Sequence, residues 1–185
     1  MIEYSLQFSK QVLKEAINPG DCVVDCTAGN GHDTVFLAEC VGESGQVLAF
    51  DIQKEALDNT LLRLKERELE KQVTLIKSSH AHLTEYTNKE LAAVMFNLGY
   101  LPGGSHKVIT KLENTLPAVD GGLGLLKKGG VMSLMLYPGH YGGRAETESL
   151  IRFAKMLPPK YYTALHYHFL NKSSNSPQLL LIQKK

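Results

Sequence analysis

The sequence predicts an α/β fold, a seven-stranded and mostly parallel sheet with helices on both faces and an antiparallel hairpin at its C-terminal end. Three observations predict it. Short apolar runs alternate with segments of helical spacing. The first five runs are mostly apolar, as strands buried on both faces are. The last two are joined by Asn171-Lys172-Ser173-Ser174-Asn175-Ser176-Pro177, too short for a crossover helix and suited to a hairpin. The 185 residues, 43% hydrophobic and 21% charged, suit one domain spanning the whole chain, 1–185, with a real core. Two full domains do not fit, and no repeat or linker divides the chain.

Taken in order, a helical segment over residues 8–17 leads to a first strand at 22–25, all but its last residue apolar. A helix at 33–40 leads to the second strand, 46–50. The clearest helix, 54–68, sets Ala56, Leu57, Thr60, Leu61 and Leu64 on one face above Lys65, Glu66, Arg67 and Glu68. Strands follow at 73–76 and 92–96, then a helix at 116–126, a strand at 131–136 and a helix at 145–156. The hairpin pairs 161–167 with 179–182. No stretch approaches the roughly 20 apolar residues of a membrane helix. Met1-Ile2-Glu3-Tyr4 offers no secretory signal, so a cytoplasmic protein is expected. Cys22, Cys26 and Cys40 form no C-x-x-C pair, which favours buried thiols, and no metal site is expected.

Between the first strand and its helix lies Asp25-Cys26-Thr27-Ala28-Gly29-Asn30-Gly31-His32-Asp33-Thr34. Glycines let the backbone pass close to a ligand, and a helix N-terminus offers free N–H groups to its anionic end. The dinucleotide fingerprint needs a third glycine where Thr34 stands, which argues against NAD. The second strand is followed by Asp51, 20 residues past Gly31, where a carboxylate can accept both hydroxyls of a ribose. An acid at Asp25 would repel a pyrophosphate but suits S-adenosylmethionine, which carries an ammonium and a sulfonium. The alternative is that Gly29 and Gly31 only shape a tight turn.

At this point the sequence resembles the class I, Rossmann-like S-adenosylmethionine-dependent methyltransferases, whose first motif is an acid-x-x-x-G-x-G turn and whose sheet ends in the same kind of hairpin. The resemblance covers nearly the whole chain. It implies a cofactor site of Asp25, Thr27, Gly29, Asn30 and Gly31 around the methionine part. His32 and Asp33 would line the helix start, Asp51 the ribose with Gln53 beside it, and Ser79 and His80 the adenine.

The fourth strand runs out into Asn97-Leu98-Gly99-Tyr100-Leu101-Pro102-Gly103-Gly104, at the strand ends where such sheets bind ligands. The side-chain carbonyl of Asn97 and a following backbone carbonyl can each accept a hydrogen bond from one amino group, leaving its lone pair aimed at a methyl carbon. Tyr100 offers a face for a stacked base, or covers core. N-x-x-Y is the spacing of the Asn-Pro-Pro-Tyr motif of amine-methylating enzymes, here with Leu98 and Gly99 in place of the prolines. Asp33 and His140 are candidate proton acceptors, needed because an alkyl ammonium has no lone pair. His140 could equally bind a phosphate or hold its loop.

Read together with Ser79-His80 and Tyr137-Pro138-Gly139-His140, these motifs resemble a small bacterial family of rRNA methylases. The resemblance implies methyl transfer from S-adenosylmethionine to an amine of an RNA nucleotide, foremost the 5-aminomethyl group of wobble uridine 34 in tRNA. An rRNA base and a small molecule are the alternatives. The expected partner is tRNA at its anticodon region, and a homodimer stays open.

Charge fits an anionic partner. Net charge is +1, yet residues 1–85 hold 8 basic and 14 acidic side chains and residues 86–185 hold 12 and 5. Lys107, Lys111 and Arg144 are placed to meet RNA, with Arg152, Lys155 and Lys160 completing the basic half. Chance segregation of solvated lysines is the plain alternative.

Overall fold

The computed structural model describes residues 2–99 and 109–185. Tyr100, Lys107 and the 101–104 run lie outside the described residues.

Seven strands form one sheet in the order β3-β2-β1-β4-β5-β7-β6. They are β1 (Cys22–Asp25), β2 (Gln46–Asp51), β3 (Val73–Lys77), β4 (Leu91–Asn97), β5 (Leu126–Leu136), β6 (Tyr162–Tyr167) and β7 (Gln178–Lys184). The first five pair in parallel, and β7 runs antiparallel between β5 and β6. The helices are α1 (Ser5–Ala16), α2 (His32–Val41), α3 (Lys54–Lys65), the four-residue α4 (Leu83–Tyr86), α5 (Leu112–Leu125) and α6 (Gly143–Met156). This is the predicted architecture.

The period-two geometry of strands divides the core into two layers. Val23, Val47, Ala93, Met95 and Met135 face one side, against Leu13 of α1 and Leu37, Ala38 and Val41 of α2. Val24, Phe50, Val94, Phe96 and Leu134 face the other, against Ala118, Val119 and Leu123 of α5 and Leu150 of α6. A buried hydrogen bond of 2.6 Å between the hydroxyls of Ser9 and Ser133 ties α1 to the centre of β5. The cysteines are free, with Cys22 and Cys26 buried and Cys40 partly so. Among the described residues no helix is long and apolar enough to cross a membrane.

The two largest departures from the expected boundaries are at β5 and α5. β5 begins at Leu126 rather than at residue 131, because Lys127-Lys128-Gly129-Gly130, which reads as a turn, continues the strand opposite a register shift at Leu91/Ala93. A Cβ on Gly130 would stand 2.9 Å from the carbonyl oxygens of Leu91 and Lys127, so the irregular ladder closes only around glycine. Helix α5 begins at Leu112, four residues before the expected start, and carries Pro117 inside it. Proline is favoured at the first helical position, yet Pro117 here lies five residues past the first residue of α5.

Candidate active site

Because β1, β2, β4 and β5 are parallel, their C-terminal ends meet at one edge of the sheet. A cleft of about 1100 Å³ opens there. Its lining includes Thr27, Gly29, Asn30, His32, Asp33, Asp51, Gln53, Ser79, His80, Asn97, Lys111 and His140. The sequence-derived cofactor, amine and base residues are therefore gathered in one place, with two exceptions.

Asp25 and Gly31 lie beneath the cleft surface. Asp25 is 1% exposed, its carboxylate accepting from the Thr27 N–H at 3.0 Å and the Thr34 hydroxyl at 2.6 Å. It braces the turn from within rather than facing a ligand, a correction to the expectation of direct cofactor contact. Burial, with Asp33 nearby, pushes its carboxyl up to about 7, against the pull of Thr34 and Thr27. Gly31 caps α2 with φ 81°, and a Cβ there would stand 2.8 Å from the Thr60 Cα. Its role is to let α3 approach. Three residues of α3 then hold the turn: the Thr60 hydroxyl donates to the Gly29 carbonyl, Asn59 to the Asn30 side chain and Arg63 to the Asn30 carbonyl.

At the end of β2 the Asp51 carboxylate accepts from the Gly29 N–H at 3.0 Å and the Gln53 N–H at 2.9 Å. The backbone fixes it at the cleft edge with lone pairs to spare for hydroxyls. Beyond β3, the Ser79 hydroxyl accepts from Ala81 N–H and caps a short turn carrying His80. His80 Nδ1 lies 2.9 Å from the Cys26 carbonyl, which can only accept, so Nδ1 carries the proton. Nε2 is then an acceptor, buried without a partner among the described residues. Burial lowers the pKa of this imidazole and keeps it neutral. His82 is exposed and pairs with Glu85.

The end of β4 carries the densest network. The Asn97 N–H donates to the Thr27 hydroxyl at 2.7 Å, which fastens this loop to the glycine turn. The Asn97 side-chain amide donates to Asp33 at 3.1 Å, and the other Asp33 oxygen pairs with Lys10 of α1 at 2.8 Å. Tyr137 lines the cleft beside Asn97, and burial, with Asp33 nearby, pushes its hydroxyl up against the pull of Asn97. Next door, the Thr110 hydroxyl accepts from the Gly99 N–H and donates to the buried Glu146, which also accepts from Thr115.

His140 lies beside this loop, with ring atoms 3.8 Å from where a Gly99 Cβ would stand. Its Nδ1 is 2.9 Å from the Tyr141 carbonyl, so Nδ1 carries the proton, and Nε2 is buried without a partner among the described residues. Lys111 and Arg144 are exposed near the mouth, Lys111 3.8 Å from Glu113 and Arg144 3.4 Å from the Ser174 hydroxyl. Arg152 and Lys155 lie 9 and 12 residues past Gly143 at the start of α6. At 1.5 Å per residue they are roughly 13–18 Å along the helix from the cleft. Among the described residues, Lys111 and Arg144 stand at the cleft mouth while Arg152 and Lys155 lie away from it.

Sequence reasoning missed Lys10, Tyr137 and Glu146. Tyr137 belonged to a motif already noted, and an acid in the first turn of a helix, as Glu146 is, carries no site signal of its own. Lys10 carried no signal, being one of two lysines on an amphipathic helix whose partner lies 23 residues away.

Residues 47–183 match the sequence profile of the family described as "Putative rRNA methylase". The chain belongs to that family. This methylase is 37% identical over 187 residues to the chloroplastic tRNA (mnm(5)s(2)U34)-methyltransferase of Arabidopsis thaliana, covering 94% of this chain and 67% of the relative. A family structure from Clostridium thermocellum superposes with a TM-score of 0.97 at 40% identity, over the whole of both chains. A Streptococcus mutans methyltransferase, solved in complex with SAH, superposes with a TM-score of 0.92 at 35% identity, again over both chains entirely. The methylase is a class I S-adenosylmethionine-dependent methyltransferase.

Proposed function

We propose that the methylase transfers a methyl group from S-adenosylmethionine to the 5-aminomethyl group of wobble uridine 34 in tRNA. The observation that carries this is the Lys10–Asp33–Asn97 chain at the end of β4. A carboxylate paired with a lysine only accepts, so the Asn97 group facing Asp33 is its NH2. The side-chain carbonyl is thereby turned to where it can take an N–H from an acceptor amine. The identity to the plant tRNA methyltransferase supports this acceptor, and the family description supports an rRNA base as the second reading.

The residues present fit the methyl donor. Asp51, with lone pairs free after its two backbone bonds, would hold the ribose hydroxyls, and the unpartnered acceptor of His80 Nε2 suits an exocyclic amine of adenine. The open turn around Thr27, Gly29, Asn30 and His32 would hold the methionine part. When bound, S-adenosylmethionine supplies an electrophilic methyl carbon on a sulfonium.

The chain's own residues then prepare the amine. An alkyl amine at neutral pH is mostly ammonium, so a proton must leave before its lone pair can act. Both Asp33 oxygens are engaged, whereas His140 Nε2 is an acceptor without a partner among the described residues, and His140 takes the proton. Asn97 then orients the neutral amine. The test is nucleoside analysis of tRNA from a strain lacking the methylase. Accumulated 5-aminomethyl-2-thiouridine with loss of its methylated form is expected, and an unchanged nucleoside profile refutes the substrate.

A further inference from the structure

Beside the cleft, on the far side of the β6–β7 loop, lies a surface that the methyl-transfer chemistry does not use. Tyr4, just before α1, is 64% exposed and Leu170 is 90% exposed. The rings of Tyr4 and Phe169 lie 6.0 Å apart, and the Lys172 ammonium stands 4.3 Å from the first centroid and 4.8 Å from the second. Among the described residues Lys172 has no carboxylate within ion-pair distance.

The arrangement is preformed. The Tyr167 hydroxyl donates to the Glu3 carbonyl at 2.6 Å, and Tyr167 packs on Phe8 at 4.8 Å, which fastens the N-terminal segment to the end of β6. It is also continuous with the active site. Asn175 of the same loop lines the cleft, and Lys10, six residues past Tyr4, pairs with Asp33 inside it. Six helical residues span about 9 Å.

We infer that Tyr4, Phe169 and Lys172 form a platform for an unpaired RNA base flanking the acceptor nucleotide, the base stacking on Tyr4 and its phosphate meeting Lys172. This rests on the RNA substrate proposed above. An exposed ring and a half-buried one around a cation with no carboxylate partner among the described residues suit single-stranded nucleic acid, because every base has a π-face and every nucleotide a charge. A protein partner is disfavoured, since interface cores are depleted of lysine.

The probe is an anticodon stem-loop RNA carrying 5-aminomethyl-2-thiouridine, with S-adenosylhomocysteine binding measured in parallel. Y4S combined with K172S is expected to weaken stem-loop binding about 5- to 150-fold, the range for losing one stacked base, and to leave S-adenosylhomocysteine affinity unchanged. Y4F, which keeps the ring, is expected to bind the stem-loop like the parent. Parental affinity in the double variant, or an equal loss in Y4F, overturns the platform while the RNA reading stands. A parent that binds S-adenosylhomocysteine but not the stem-loop overturns the RNA reading and the platform with it. Dissociation of a parental dimer on substitution shows a contact between copies instead and overturns the proposal.

Discussion

Lys10 illustrates how one side chain sets the orientation of another. Its ammonium holds one Asp33 oxygen, the other takes the Asn97 NH2, and the direction of the Asn97 carbonyl follows. K10M is expected to lower single-turnover methylation tenfold or more, since misplacement by about 1 Å can cost a hundredfold. Affinity for S-adenosylhomocysteine should hold, and K10R should recover most of the rate. Failure of K10R to recover, with K10M slow, would show that the lysine serves only α1. His140 makes a claim that pH can separate. H140Q should slow methylation near neutrality by about a hundredfold or more. The deficit should shrink as pH rises and more of the amine is already neutral. A deficit constant with pH would leave His140 holding its loop and nothing more.

Among the elements, the β1–α2 turn and α3 depend most closely on each other. Gly31 adopts a φ that disfavours a side chain, and a Cβ there would press on the backbone of Thr60. G31A should cost roughly 2–5 kcal/mol, the sum of a left-handed residue and an overpacked contact, read as a lowered urea midpoint. A midpoint within error of the parent would mean that α3 moves away freely. This coupling was half legible in the sequence. The glycine spacing marked the turn, and Thr60 was assigned to the apolar face of its helix, but nothing in a linear sequence joins residues 29 apart. The same limit hid Asp25. An acid before a glycine turn reads as ligand-facing, while the two donors that draw it inward, Thr27 and Thr34, become partners only once the turn has closed. The mostly parallel sheet was legible because strands buried on both faces are apolar throughout, whereas the start of β5 was not, since two lysines and two glycines look the same in a bulged strand and in a turn.

For the molecule as a whole, the buried Asp25 couples stability to pH. Folded, its carboxyl holds a proton up to about pH 7, while in the unfolded chain it ionises near 3.9, the usual value for aspartate. Between these limits the folded state binds more protons, so this group's contribution falls as pH rises through the window and levels off above it. D25N cannot ionise. The stability of the parent relative to D25N should therefore decline from about pH 4 to about pH 7 and then stay constant, and parallel curves across that range would place the ionised carboxylate comfortably in the fold.

The central claim is that the cleft positions an amine of a tRNA wobble uridine, and single-turnover methylation of purified tRNA bearing 5-aminomethyl-2-thiouridine tests it most directly. Mass analysis of the nucleosides should show one added methyl on that uridine with the parent enzyme. The rate should fall a hundredfold or more in N97A, while S-adenosylhomocysteine affinity stays within a few-fold, as expected for the loss of one positioned partner in the transition state. Methyl transfer by N97A at the parental rate, or no methyl on that uridine with the parent, would contradict it.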